Sequence, residues 1–327
     1  MKKFIILVVA ILTMGMQTIT AQIAKVMLHH NGKATLFEST EVQKAIDASV
    51  DGDTIYIGQG PYNDSSLSIN KRITIMGQGV GSLLGDVTID LPGGSEMSST
   101  ILYGINAGSV TINSSVSNLH IDKCTFTNLT IIPNSTTTTK TFSMKDMVIE
   151  RCEVSNRFIT TIADQFENAI IRNCKIKYFS NGSKDVSFIN CYLQSTYAFK
   201  SNYLNEARTD YVYGTLINCI IASFETGKST YYGGCIIDNS ATFVNCLCGV
   251  SPSSGTITDC YMDSKTDYTD EELTVKAYLG TDGTIVGPNG GIRPFNLVPA
   301  VPSLEDIKMG VNYNTKKLNV TIKVKAN

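Results

Sequence analysis

The sequence predicts an all-β chain: a right-handed parallel β-helix, or β-solenoid, with an N-terminal capping helix and a C-terminal β tail. Three observations carry this: a Cys-centred window recurring at coil-like spacing, turn-forming residues just before each Cys, and β-rich segments between the copies. Eight windows align, LHIDKCTF (Cys124), VIERCEV (Cys152), IIRNCKI (Cys174), FINCYL (Cys191), LINCII (Cys219), YGGCII (Cys235), FVNCLC (Cys246) and ITDCYM (Cys260).

Three residues before each Cys stands Ile121, Ile149, Ile171, Phe188, Leu216, Tyr232, Phe243 or Ile257, and two after it an apolar residue such as Phe126, Val154 or Ile176. A strand has period 2, so inward residues at minus three and at zero are out of phase, and the chain must turn a corner between them. The residue before Cys is Asn173, Asn190, Asn218, Asn245, Asp259 or Gly234 in six windows. These types tolerate the left-handed backbone such a corner needs. Lys123 and Arg151 depart from the pattern, so those coils are expected to bend differently or under strain.

Successive Cys are 28, 22, 17, 28, 16, 11 and 14 residues apart. A parallel return needs a dozen or more residues, so the step of 11 sets Cys235 on a different face and the step of 14 is tight. Crossovers between parallel strands are right-handed, which fixes the expected hand. Cys174, Cys191, Cys219 and Cys246 are expected to be free, buried small hydrophobes. Asn173, Asn190, Asn218 and Asn245 are expected to hydrogen-bond one another up the stack.

The elements follow in order. Residues 1–21 combine a basic start, an apolar run from Phe4 and a small residue at Ala21, the pattern of a secretory signal peptide too short to span a bilayer. The mature chain is expected to have no membrane span and to reside in the periplasm, on the cell surface or outside the cell. Residues 22–51 hold the capping helix: Thr40 and Gln43 form a capping box, and Val42, Ala45, Ile46 and Val50 an apolar face. Residues 52–265 form the β-helix of nine or ten coils. Residues 266–327 form a tail that covers the last coil or makes a small β unit, with Leu318, Val320, Ile322 and Val324 alternating as in a half-buried strand.

The formal charge of -2, from 27 Lys+Arg against 29 Asp+Glu, gives no net attraction to nucleic acid. Nine Cys in one repeated context, an odd number, do not read as a disulfide framework. His29, His30 and His120 offer little for a metal or a nucleophile-base pair. GQGVGSLLG, from Gly77, lacks the Gly-Lys-Ser/Thr ending of a phosphate loop and reads as turn glycines.

The opening AIDASVDGDTIYIGQGPYN…KRITIMGQG resembles the first turns of exported pectin-lyase-like right-handed β-helix proteins of Gram-negative bacteria. The ending LGTDGTIVGPNGGIRPF…KLNVTIKVKAN is similar to the C-terminal region of a group of them without assigned activity. The resemblance implies fold and export. It implies little chemistry, because the clustered Asp, Gly-His-Gly and Arg-Ile-Lys signatures of polygalacturonases do not occur in this sequence.

The candidate site is the long step between Cys191 and Cys219, where Tyr192, Tyr197, Phe199, Tyr203, Tyr211 and Tyr213 interleave with Lys200, Glu206, Arg208 and Asp210. Aromatic faces beside hydrogen-bonding charges on a loop suit a polysaccharide groove. No cofactor is expected, but a lyase reaction would call for Ca²⁺ at Glu206 and Asp210, a base at Arg208 or Lys200 and an acid at Tyr203 or Tyr211. The alternative is a non-catalytic structural or adhesive surface protein. Oligomeric state is left open.

Overall fold

The computed structural model describes residues 25–62, 66–91, 100–131, 144–160, 166–181, 183, 185–196, 211–224, 236–299, 303–312 and 317–325. The expected signal peptide lies outside them. The described residues are mostly β-strand, with two short helices, α1 (Val42–Ala48) and α2 (Asp270–Val275).

Two long sheets of twelve and fourteen strands dominate. In the twelve-stranded sheet, ten strands from Thr54–Ile57 to Thr256–Thr258 run parallel, and the antiparallel pair Lys25–His30 and Lys33–Glu38 joins at the Thr54–Ile57 end. The chain alternates between sheets: Val148–Glu150 leads to Glu153–Thr160, Ala169–Arg172 to Lys175–Asn181, and Val186–Ile189 to Tyr192–Thr196. Parallel sheets built by such alternation are compatible with a β-solenoid.

The corners follow the phase argument. Ile121, Ile149, Ile171, Phe188, Leu216 and Phe243 are buried, and so are Cys124, Cys152, Cys174, Cys191, Cys219 and Cys246. Between them Lys123, Arg151, Asn173, Asn190, Asn218 and Asn245 take φ between 48° and 55°, and Asp259 of the last coil does the same between the less buried Ile257 and Cys260. Lys123 and Arg151 therefore make the same bend as the Asn coils, which is the strained of the two expected alternatives. Each left-handed residue without a Gly or Asn side chain costs about 1–2 kcal/mol. Lys123 finds its partner in the C-terminal segment, and Arg151 finds Asp122 of the preceding coil and Glu150 beside it.

The described cysteines are free, and the thiols bond in step with the coils. Cys191 Sγ donates to Ile171 O at 3.5 Å, Cys219 Sγ to Phe188 O at 3.4 Å and Cys246 Sγ to Leu216 O at 3.3 Å. Burial pushes the Cys174 and Cys219 thiols well up, so they stay protonated. Cys235 lies outside the described residues. Its neighbours Ile236–Ile237 pair with Tyr211–Val212, whereas Ile220–Ile221 pairs with Leu247–Cys248. The tight step to Cys260 is made, with Tyr261 opposite Leu247.

The asparagine ladder is corrected. Backbone N–H groups bond upward, Asn190 to Ile217 O and Asn218 to Val244 O, both at 2.9 Å. Three of the four side chains instead hold the C-terminal segment. Asn245 Nδ2 donates to Leu279 O at 3.5 Å, Asn218 Oδ1 accepts from Thr281 N at 2.9 Å, and Asn173 Nδ2 donates to Pro288 O at 2.9 Å and Gly290 O at 2.8 Å. Asn190 lies close by, since a Cβ on Gly291 would come within 2.3 Å of its Nδ2. Stacked amides do occur elsewhere, with Asn156 Nδ2 donating to Asn128 Oδ1 at 2.9 Å, and Asn168 Nδ2 donates to the Asp146 carboxylate at 3.0 Å.

Residues 279–299 thus form a strap running back along the corner towards the early coils. Lys123 Nζ donates to Val298 O, and Pro299 lies so close to Gly104, at φ 62°, that a Cβ there would stand 2.7 Å from the ring. Of the two expectations for residues 266–327, a cover over the last coil or a small β unit, this strap does not supply the first, since Ile257 and Met262 of that coil remain 41% and 48% exposed. Ser303–Asn312 and Lys317–Lys325 pair as an antiparallel hairpin.

Helix α1 forms where expected, with Val42, Ala45 and Ile46 buried, but without the capping box. Its N-cap is Glu41, which makes no side-chain cap bond, and Val50 is exposed. Gln43 instead grips a strand backbone, accepting from Ser68 N at 2.8 Å and donating to Ser68 O at 3.2 Å. The capping box occurs at α2, between Thr269 and Glu272.

Asn218→Gly keeps the left-handed corner and removes the bonds to Thr281, whereas Asn218→Ala loses both. Urea unfolding should show a loss of about 1 kcal/mol for Gly and about 1–2 kcal/mol more for Ala. An unchanged stability for Gly would separate the strap from the role of this residue, and equal losses for Gly and Ala would remove the demand of the left-handed corner.

Candidate functional site

Two assemblies form where the strap meets the sheets: a charge knot on one side of the corner and a cleft on the other. The knot centres on Glu150, at the outer end of its strand and 1% exposed. Arg172 Nη2 lies 2.7 Å from its carboxylate, Arg293 Nη1 of the strap 3.0 Å, and His120 Nε2 3.1 Å. Arg151 pairs with Asp122 through both Nε and Nη2. Burial resists ionisation of Glu150, but the hydrogen bonds from His120 and Arg172 and the charges of Arg172 and Arg151 outweigh it, lowering its pKa to about 2.

His120, Asp122 and Glu150 place ligand atoms within 4.8 Å of one another, the spacing of a metal site. Those carboxylates already serve Arg151, Arg172 and Arg293, whose positive charge opposes a bound cation. The cluster works as a fastener for the strap.

On the other side of the corner, α2 and the strap pack on the outer face of the fourteen-stranded sheet. Leu273 and Val286 bury themselves against Ile220 and Leu247, with Tyr192, Tyr261, Tyr268 and Tyr278 around them. Asp263 anchors this layer, accepting from Tyr268 Oη at 2.6 Å, Tyr278 Oη at 2.8 Å and Lys276 Nζ at 3.0 Å.

Between layer and sheet opens a cleft of about 280 Å³. Its floor is Lys175, Tyr192 and Ile220 from three successive coils, and its walls include Asp267, Tyr268, Asp270, Pro288 and Asn289. Asn289 Nδ2 donates to Asp270 Oδ1 at 2.9 Å, fixing the rim, and Lys175 Nζ lies 4.4 Å from the centre of the Phe295 ring. Burial and the nearby Asp267 raise the Tyr192 hydroxyl pKa, so it remains a donor at neutral pH. Aromatic rings, carboxylates, an amide and an ammonium group line this space.

Tyr192 begins the stretch singled out in the sequence. Of the other residues named there, Tyr213 is half-buried and Tyr211 belongs to the strand Tyr211–Val212. Tyr197, Phe199, Lys200, Tyr203, Glu206, Arg208 and Asp210 lie outside the described residues. Sequence reasoning missed Lys175, Asp267, Tyr268, Asp270 and Asn289. The run TDYTDEEL from Thr266, with its capping-box spacing, carried a usable signal. Comparison of the chain with protein-family models, with curated proteins and with solved structures gave no match.

The knot implies acid sensitivity. A carboxyl whose folded pKa is about 2, against an ordinary 4.5, adds stability at neutral pH that is lost as the pH falls from about 4.5 towards 2. Glu150→Gln should cost about 3 kcal/mol at pH 7 by stranding the guanidinium groups and should flatten this part of the pH profile. Thermal unfolding across that range is the measurement; parallel profiles for the two proteins would contradict the assignment.

Proposed function

We propose that the chain is an exported, pectin-lyase-like right-handed parallel β-helix, with α1 capping its first coil, that binds polysaccharide on the face containing the cleft. The observation that carries this reading is the convergence of Tyr192, Tyr268, Lys175 and Asp267 on one groove at the base of the aromatic stretch Tyr192–Gly214. Sugars present apolar ring faces and rings of hydroxyl groups, and such a groove offers tyrosine faces to the first and charged or amide groups to the second. Successive coils advance by about 4.8 Å, so the floor residues can meet successive units of a chain lying along the rod.

Processing of the bound polymer is a further step. It would need groups beyond those lining the cleft, with Arg208 or Lys200 as base, Tyr203 or Tyr211 as acid, and Ca²⁺ held by Glu206 and Asp210. A second reading, a stiff structural or adhesive surface protein, draws on the strap, which ties many coils together and suits a load-carrying rod.

A glycan array separates the two. Binding to at least one polysaccharide should weaken about tenfold or more, equivalent to about 1.4 kcal/mol, in Tyr192→Ala and in the Tyr203→Ala/Tyr211→Ala double variant. Binding to no glycan favours the structural reading. Incubation with uronate polysaccharides, with and without Ca²⁺, tests for a lyase: rising ultraviolet absorbance from unsaturated products supports it, and a flat trace on every polymer rejects it.

A further inference from the structure

The strap delivers the chain to an apolar surface. Along the outer face of the twelve-stranded sheet, Leu36 stands opposite Met27, Met27 opposite Tyr56, Tyr56 opposite Met76 and Met76 opposite Tyr103. Leu36 is 69% and Tyr56 39% exposed, and Met27, Met76 and Tyr103 are half-buried. Val80, Leu83 and Val298, near the place where Pro299 reaches Gly79 and Gly104, are exposed as well. An open apolar stripe of this size on a folded chain calls for a cover.

The segment that follows has matching chemistry. Its register sets Leu304 opposite Val324, Ile307 opposite Ile322, Met309 opposite Val320 and Val311 opposite Leu318. The intervening pairs are polar: Asp306 with Lys323, Lys308 with Thr321 and Asn312 with Lys317. Period 2 therefore assigns eight apolar residues to one face of the ribbon, and the irregularity between Leu304 and Asp306 brings Leu304 into that phase. A two-stranded ribbon is marginal in water by itself and needs such a face covered.

Tether and dimensions agree. Pro299 and Ser303 are four residues apart in sequence, so Ser303 lies within about 14 Å of the strap's end. Leu304 to Val311 spans about 24 Å at strand rise, and the four steps from Tyr103 to Leu36 span about 19 Å at sheet spacing. A ribbon continuing along the rod would cross the sheet strands at a steep angle, one of the two standard ways sheets pack face to face.

We propose that the hairpin Ser303–Asn312/Lys317–Lys325 docks through this apolar face on the Leu36–Met27–Tyr56–Met76 stripe of its own chain. The strap and hairpin then form one C-terminal arm that fastens the rod from its last coil to its first. A short tether gives the docking a high effective concentration, so it needs little intrinsic affinity.

Hydrogen exchange on the full chain tests this, comparing the parent with Ile307→Asp/Ile322→Asp, which places charge on the ribbon's apolar face. Amides of Lys25–Glu38 and Thr74–Gly77 should exchange about tenfold faster in the variant, while those of Glu153–Thr160 keep their rates. Equal rates in the two proteins would overturn the docking, and so would uniform acceleration throughout the rod. Protection that rises with protein concentration, together with a doubled mass in light scattering, would assign the stripe to a second copy and overturn the intramolecular contact.

Discussion

One constraint organises the molecule: each coil must bring two inward residues three positions apart onto adjacent sheets, and a strand cannot do that without a corner. A left-handed residue supplies the corner in a single position. Asn fits because its side chain lowers the cost of that conformation, and Cys follows because the space just inside the bend admits only a small apolar group. Stacked at sheet spacing, the corners become a seam of outward-facing amides beside a column of buried thiols.

The seam gives the C-terminal segment its track. A glycine-rich chain can lie close against it and bond to each amide in turn, as Thr281, Pro288 and Gly290 do with Asn218 and Asn173. Where the seam changes from Asn to Arg and Lys, recognition changes from neutral amides to charge: Arg293 meets Glu150, and Lys123 meets Val298 O. The cleft exists because this segment and α2 stand off the neighbouring sheet, so its lining is shared between repeat and tail.

The repeat was legible because its signal is local. The phase conflict between Ile171 and Cys174 lies within four residues, and Asn173 between them resolves it. Partners of the corner side chains were not legible, since a left-handed Asn looks the same whether its amide meets another Asn or a segment more than a hundred residues away. The Thr40–Gln43 spacing misled for a similar reason: Gln43 found a better partner in the backbone of Ser68 than in its own helix end. Half of the cleft could be anticipated from Tyr192. The other half comes from the run around Asp267, which becomes relevant only once the strap has returned.

That return divides the molecule's contacts into two ranges. Thiol-to-carbonyl bonds between coils join residues 20 to 31 positions apart, but the strap's bonds join residues 34 to 175 apart, lengthening as it runs back. Closing the longer loops costs more chain entropy and yields contacts only after the coils they grip exist. Assembly should therefore proceed in two acts, with coils accreting on one another as a ladder of short-range steps and the arm drawn along them afterwards. Until the second act is finished, the corner amides face water, and a chain interrupted before its last fifty residues is a rod without its fastening.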